Sequence, residues 1–366
     1  MWNLRQLSPM LWGVMFTLLM IAVCPGSAQT QNVTGYNAVY NSTGNATTPS
    51  PSFIDASVSQ KVNHTDLCAT IYNIFTGTAP NPAYPAAGAV IDARGISGTA
   101  ALTCAAGTTP WNNCTTTVSV PSNILLPAGT IVIPTTWVLP PQTHLIGQGD
   151  NPSSGTVIQA CTSTTCTQSF SGTAMIQFCS ASGCLGVSVE KLILDGQGQQ
   201  SSGSYISGIF NQYSQASYVD HVSLYQILGT GLSISGGASN SGPYTNISFD
   251  TGGHSGVPST VCLSVNGLSN TRGIRGLSCT SRNGANASAA VLLDSPSNLI
   301  KDVTIVGFYD GILVGANAPA PSYVLVNVIG DTSCGAICRT TPIRKQTWGR
   351  PERSLAFCDE NGFPVS

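Results

Sequence analysis

The chain has 366 residues, of which only 8% are charged, and its formal net charge is -2. That length allows a large buried core, while the scarcity of cations, with no Lys or Arg between Arg94 and Lys191, excludes the basic surface that nucleic acid requires.

Arg5 precedes an apolar run from Leu11 to Val23, and Gly26-Ser-Ala28 supplies a small-residue cleavage site. That run is too short to span a bilayer comfortably, so residues 1–28 read as a signal peptide. The expected fate is secretion or display at the cell surface, with no membrane span left after cleavage. Residues 29–62, rich in Ser, Thr, Asn and Pro, read as a flexible lead-in with glycosylation acceptors at Asn32, Asn41 and Asn45. Thr65-Asp66 then caps an expected helix over residues 67–74, whose Leu67, Ile71 and Ile74 form one stripe suited to closing a solenoid end.

Between Val189 and Gly330 one phrase recurs: apolar, two polar or small residues, apolar, any residue, apolar. Its copies begin at Val189, Val219, Tyr244, Ile274, Ile300 and Leu325, and their middle apolar residues are Leu192, Val222, Ile247, Leu277, Val303 and Val328. The spacings of 30, 25, 30, 26 and 25 residues, read off that sequence, predict a solenoid of stacked coils. Alternation after each middle residue predicts a strand with one buried face, and the two-residue insertion before it predicts a bend. A looser second strand follows in most coils, as at Gly231-Leu-Ser-Ile234 and Gly311-Ile-Leu-Val314. Short strands without intervening helix give an all-β fold, a parallel β-helix, over residues 63–335.

The segment preceding these coils carries a resemblance. A helix, then Gly88-Ala-Val-Ile-Asp92-Ala-Arg94-Gly95, then Pro127-Ala-Gly129-Thr, then Leu145-Ile146-Gly147-Gln-Gly149 resembles the start of pectate-lyase-like proteins of the pectin lyase fold. The resemblance covers about residues 64–330 and implies a right-handed parallel β-helix with a short capping helix. It also implies a polysaccharide as substrate or ligand, since that superfamily includes pectate and pectin lyases, polygalacturonases and phage tailspikes. The polygalacturonase signature is incomplete: no Asp-Asp pair occurs, and Gly253-His254-Ser255-Gly256 matches Gly-His-Gly loosely. The clustered acids of a calcium-dependent pectate lyase are not evident either.

Removing residues 1–28 takes Cys24 and leaves 12 of the 13 Cys, an even number that fits pairing outside the cytosol. Cys161/Cys166 and Cys179/Cys184 are spaced to staple local loops, and Cys262/Cys279 to tie neighbouring strands. A metal site is the competing explanation, but no His accompanies these pairs. Neither a metal nor a cofactor is expected.

Stacking turns the repeat into columns. The position three past each middle residue gives Asp195, Tyr225, Asp250, Thr280, Val306 and Asp331, with Asp195 and Asp250 about 9.6 Å apart at two strand steps. Acidic residues at that spacing suit glycosidic bond cleavage, so Asp195, Asp250 and the loop residue His254 are the candidate catalytic groups. The competing explanation is that each Asp caps its own turn. Tyr205, Tyr213, Tyr218 and Tyr225 offer possible sugar-stacking faces. A second column, Glu190, Asp220, Thr245, Arg275, Lys301 and Val326, and a third, Lys191, His221, Asn246, Gly276, Asp302 and Asn327, read as a solvated ladder at the bend. A glycosidic bond-cleaving enzyme and a non-catalytic glycan-binding surface protein are both open at this point. Finally, residues 336–366 break the pattern with a charged tail that is expected not to form a well-packed coil.

Overall fold

The computed structural model describes residues 53–63, 65–76, 89–111, 122–166, 168–238, 240–267, 271–282, 289–295, 298–314, 323–331, 337–339 and 357–358. Its strands form two long sheets whose neighbours pair in parallel, one of 12 strands and one of 9. From Ser171–Phe178 to Tyr323–Asp331 the chain alternates between them and advances one strand in each per turn. This is a parallel β-helix, wound in the right-handed sense that parallel crossovers take.

The repeat phrase builds the first sheet. Ser188–Asp195, Tyr218–Tyr225, Tyr244–Ser255, Ile274–Arg282, Asn298–Val306 and Tyr323–Asp331 lie side by side, with Leu192, Val222, Ile247, Leu277, Val303 and Val328 in one aligned row. Both apolar residues flanking the insertion point inward: Val189 and Leu192, Val219 and Val222, Ile274 and Leu277, and Ile300 and Val303 are each at most 2% exposed. Residues three apart on a flat strand face opposite ways. What restores them to one side is a single left-handed residue in each copy: Lys191 (φ 54°), His221 (52°), Asn246 (53°), Gly276 (65°), Asp302 (57°) and Asn327 (55°). Gly, Asn, Asp and His are the residues that tolerate this conformation best. The predicted bend is thus a one-residue kink repeated at one corner of the solenoid.

The second sheet runs through Thr135–Leu139, Ser171–Phe178, Ser207–Asn211, Thr230–Ser235, Val261–Asn266, Ala289–Asp294 and Asp310–Val314. Ile209, Leu232, Leu263, Val291 and Ile312 align there and are buried. The inward faces of both sheets merge into one apolar column.

At the N-terminal end, helix α1 (Ala56–Asn63) and helix α2 (Leu67–Thr76) precede the first regular coils. Helix α2 is the expected one: Asp66 Oδ1 accepts from Ala69 N at 2.9 Å, and Leu67, Ile71 and Ile74 are fully buried. Helix α1 was not legible, and it and the preceding strand Phe53–Asp55, which pairs in parallel with Ala89–Asp92, lie, apart from Asn63, within the segment read from sequence as a lead-in. Residues 1–52, with the signal-peptide segment, lie outside the described residues.

The three cysteine pairs read from spacing are disulfides: Cys161–Cys166, Cys179–Cys184 and Cys262–Cys279, with Cα separations of 5.6, 6.3 and 5.8 Å. A fourth, Cys68–Cys104, ties helix α2 to the segment entering the next coil. In the tail, Ile337–Arg339 and Phe357–Cys358 add short strands to the second sheet, and its other residues lie outside those described.

Candidate functional site

The outward column forms as the repeat dictates. Asp195 aligns with Tyr225, Tyr225 with Asp250, Asp250 with Thr280, Thr280 with Val306 and Val306 with Asp331. Asp195 and Asp250 therefore share one face, two strand steps or about 9.6 Å apart. Between them Tyr225 stands 38% exposed, an aromatic surface flanked by two acids.

The two carboxylates are not equivalent. The strand Thr156–Ala160 lies on the far side of Asp195, with Gln159 in register beside it, and Asp195 is only 8% exposed. Its Oδ1 accepts from Gln197 N at 3.1 Å, and its Oδ2 accepts from Gln159 Nε2 at 3.1 Å and from Gln197 Nε2. Gln197 Nε2 also reaches Gln226 Oε1 at 3.2 Å, linking this coil to the next. Asp250 is half-buried and accepts one bond, from Gly252 N to Oδ1 at 2.7 Å. Its second oxygen has no partner among the described residues. Both acids therefore cap their own turns, as the competing explanation required, but only Asp250 keeps an uncommitted oxygen.

His254 lies in a stretch where the register changes. Pairing between Tyr244–Ser255 and Ile274–Arg282 jumps from Asp250/Thr280 to Ser255/Arg282, so residues 251–254 stand opposite the single residue Ser281, three more than the ladder needs, and form a bulge. Thr251, fully buried, anchors the bulge by accepting from Arg282 N at 3.0 Å. Gly252 (φ 65°) then turns the chain over the preceding coil, where a Cβ would lie 2.7 Å from Gln226 Cγ and 3.0 Å from Tyr225 Cζ. Only glycine fits there. The imidazole of His254 ends against Gly198, where an added Cβ would lie 2.8 Å from its Cε1 and 3.0 Å from its Nε2. Its ring nitrogens have no hydrogen-bond partner among the described residues.

The bend columns form a polar ladder. Asp220 pairs with His221 Nδ1 at 2.8 Å and accepts from Thr245 Oγ1 and from Asn246 Nδ2 at 3.2 Å. Burial alone would raise the Asp220 carboxyl, but the bonds from Thr245, His221 and Asn246 together outweigh it and hold the group below the usual aspartate range. Glu190 accepts from Ser188 Oγ and Tyr218 OH, both at 2.7 Å, and burial followed by the bond to Glu190 pushes the Tyr218 phenol up. His221 thus belongs to this ladder and not to the outward face.

Three glutamines, Gln159, Gln197 and Gln226, were not singled out from sequence. Gln197 and Gln226 each follow a column residue, at Asp195-Gly-Gln197 and Tyr225-Gln226, and that adjacency was the available signal. Gln159 lies on a strand outside the repeat phrase and had none. Among the described residues the one group with metal-ligand spacing is Asp66, Cys68 and Cys104, and its two sulfurs are bonded to each other. A cavity of about 360 Å³ near the N-terminal end is lined by Thr103, Pro134, Thr164 and Gln168 and, among the described residues, by no ionisable group.

No protein-family model matches the chain, and no curated protein matches it. Among solved structures it is similar to an endo-xylogalacturonan hydrolase from Aspergillus tubingensis, at 15% identity over 70% of each chain with a TM-score of 0.39. It is also similar to the A-module of a mannuronan C-5 epimerase from Azotobacter vinelandii, at 15% identity over 60% of this chain and 73% of that one, with a TM-score of 0.37.

Proposed function

We propose that this chain is an exported, carbohydrate-active protein that cleaves a glycosidic bond of a polysaccharide on the face bearing Asp195, Tyr225, Asp250 and His254. The observation that supports this is convergence: three successive coils bring Asp195, Tyr225 and Asp250 into one column, and the bulge after Asp250 brings the His254 ring against Gly198, three residues past Asp195. Tyr225 offers a sugar ring an apolar face. Asp250, with an uncommitted oxygen, and His254, with an uncommitted ring, are the groups positioned to exchange protons with the glycosidic oxygen or an attacking water. Asp195 accepts bonds on both oxygens and faces the same column at about 9.6 Å. Inverting glycosidases place their carboxyl groups roughly 6.5–9.5 Å apart, leaving room for the water, and this strand spacing falls just past the top of that range. The four disulfides among the described residues support the export reading, since such bonds persist in oxidising compartments.

A second reading, glycan binding without cleavage, is favoured by one observation: each Asp carboxylate bonds a backbone N–H two residues on, as a turn residue does. The two separate cleanly. The purified protein is incubated with a panel of neutral and acidic polysaccharides, and new reducing ends and unsaturated products are followed. Release that disappears in Asp250→Asn supports the enzyme. Retention of a polysaccharide by wild type, lost in Tyr225→Ala, with no product from any substrate, supports the binding protein.

A further inference from the structure

The kinked corner carries a charge order that the outward face does not use. Along one column, register places Glu190 beside Asp220, Asp220 beside Thr245, Thr245 beside Arg275 and Arg275 beside Lys301. The adjoining left-handed column begins with Lys191, has Asn246 at its centre and reaches Asp302 in the same coil as Lys301. Lys191, Arg275, Lys301 and Asp302 are exposed, and Glu190 and Asp220 are half-buried. In the first column acids thus crowd one end and cations the other, and the adjoining column carries the reverse order, Lys191 to Asp302. Like charges directly opposite on neighbouring strands are unfavourable, and the column contains two such pairs. Within the described residues Lys191 and Arg275 have no acidic partner, and Lys301 reaches Asp302 only at 3.9 Å.

We propose that this corner is a self-complementary surface on which a second copy of the chain docks in antiparallel orientation. A two-fold axis along the strand direction, through Thr245 and Asn246, reverses the order of the coils and keeps each column facing its own counterpart. Glu190 then meets Lys301 of the partner subunit, Asp220 meets Arg275 of the partner subunit, and Lys191 meets Asp302 of the partner subunit. Symmetry makes each contact twice. Asn246 meets its own symmetry mate, and an amide serves as donor and acceptor at once. The charge order is what selects this occupant: an acidic polymer would satisfy Arg275 and Lys301 but would be repelled by Glu190 and Asp220. Four strand steps span about 19 Å, which is small for an interface, and exposed ion pairs are weak and screened by salt. Association is therefore expected to be weak, and strongest at low ionic strength.

Sedimentation velocity on the purified protein, at tens of micromolar and in low and high salt, tests this. Because Asn246-Ile-Ser248 is a glycosylation acceptor on the proposed axis, the host should be one that adds no glycan. Wild type is expected to dimerise in low salt and to be monomeric in high salt. Lys301→Glu should stay monomeric in both, and the exchange of Glu190→Lys with Lys301→Glu should restore the low-salt dimer. The exchange of Lys191→Asp with Asp302→Lys gives an independent pair should the first variant fold poorly. A wild type that is monomeric in low salt overturns the proposal, as does a dimer undiminished by Lys301→Glu. Folded charge-exchange variants that fail to recover the dimer also overturn it, and so does a monomer that instead retains an acidic polysaccharide through Arg275 and Lys301.

Discussion

The imidazole of His254 rests against the backbone of Gly198, so closely that a Cβ there would come within 2.8 Å of its Cε1. The contact joins residues from coils that are not neighbours, since the coil carrying Tyr225 and Gln226 lies between them. Gly198 also has φ of 62°, so Gly198→Ala both strains the turn and expels the ring. The expected outcome is a folded protein, destabilised by about 1–2 kcal/mol, whose polysaccharide turnover falls at least tenfold. Urea unfolding and steady-state rates on the same preparation check it, and unaltered turnover would remove His254 from the site.

Cys262 and Cys279 bond adjacent elements of the two sheets across a separation of 17 residues, and both are fully buried. Replacing both with Ala should cost about 3 kcal/mol on the loop-closure estimate. Denaturant midpoints measure that cost. Peptide mapping of the unreduced protein should recover this crosslink together with Cys68–Cys104, Cys161–Cys166 and Cys179–Cys184.

The inward and outward rows of the same strand predict opposite sensitivities. Leu277, 2% exposed, is a rung of the apolar column, and Leu277→Ala should cost about 2–5 kcal/mol. Thr280, three residues on and half-exposed, should tolerate Ala within about 0.5 kcal/mol. Equal costs at the two positions would contradict the registered packing.

Tyr244 is fully buried, donating from its OH to Ser241 Oγ at 2.8 Å and accepting from Asn211 Nδ2 at 3.0 Å. Burial is the dominant cause that pushes its phenol up to about 12. Because the folded value exceeds the unfolded one, its contribution to stability is intact below about pH 10 and is lost as pH rises towards about 12. Thermal melts across that window should fall more steeply for wild type than for Tyr244→Phe.

Much of this architecture was legible because a solenoid writes its register into its sequence. Once Leu192, Val222, Ile247, Leu277, Val303 and Val328 are aligned, every column follows by counting, and the pairings match. Other features lay outside that counting. Helix α1 hides in a polar stretch, Ala-Ser-Val-Ser-Gln-Lys-Val-Asn, where only Val58 and Val62, four residues apart, mark an apolar face. The Cys68–Cys104 pair spans 36 residues, too far for spacing to suggest it. Burial of Asp195 depends on Gln159, from a strand that does not carry the phrase. The path of His254 depends on a bulge, and the glycines that permit it have no period.

The central claim is that Asp250 takes part in breaking a glycosidic bond, and it is tested most directly by turnover of a cleaved polysaccharide in Asp250→Asn and Asp195→Asn beside wild type. Asn preserves the shape of either side chain while removing the ionisable group. The prediction is a loss of turnover of about 10²-fold or more in Asp250→Asn, with the unfolding midpoint within about 1 kcal/mol of wild type. Asp195→Asn should lose turnover together with stability, because an amide cannot accept all three of the bonds that Asp195 now receives. Full turnover in folded Asp250→Asn would show that Asp250 is a turn residue and would move glycan binding without cleavage ahead.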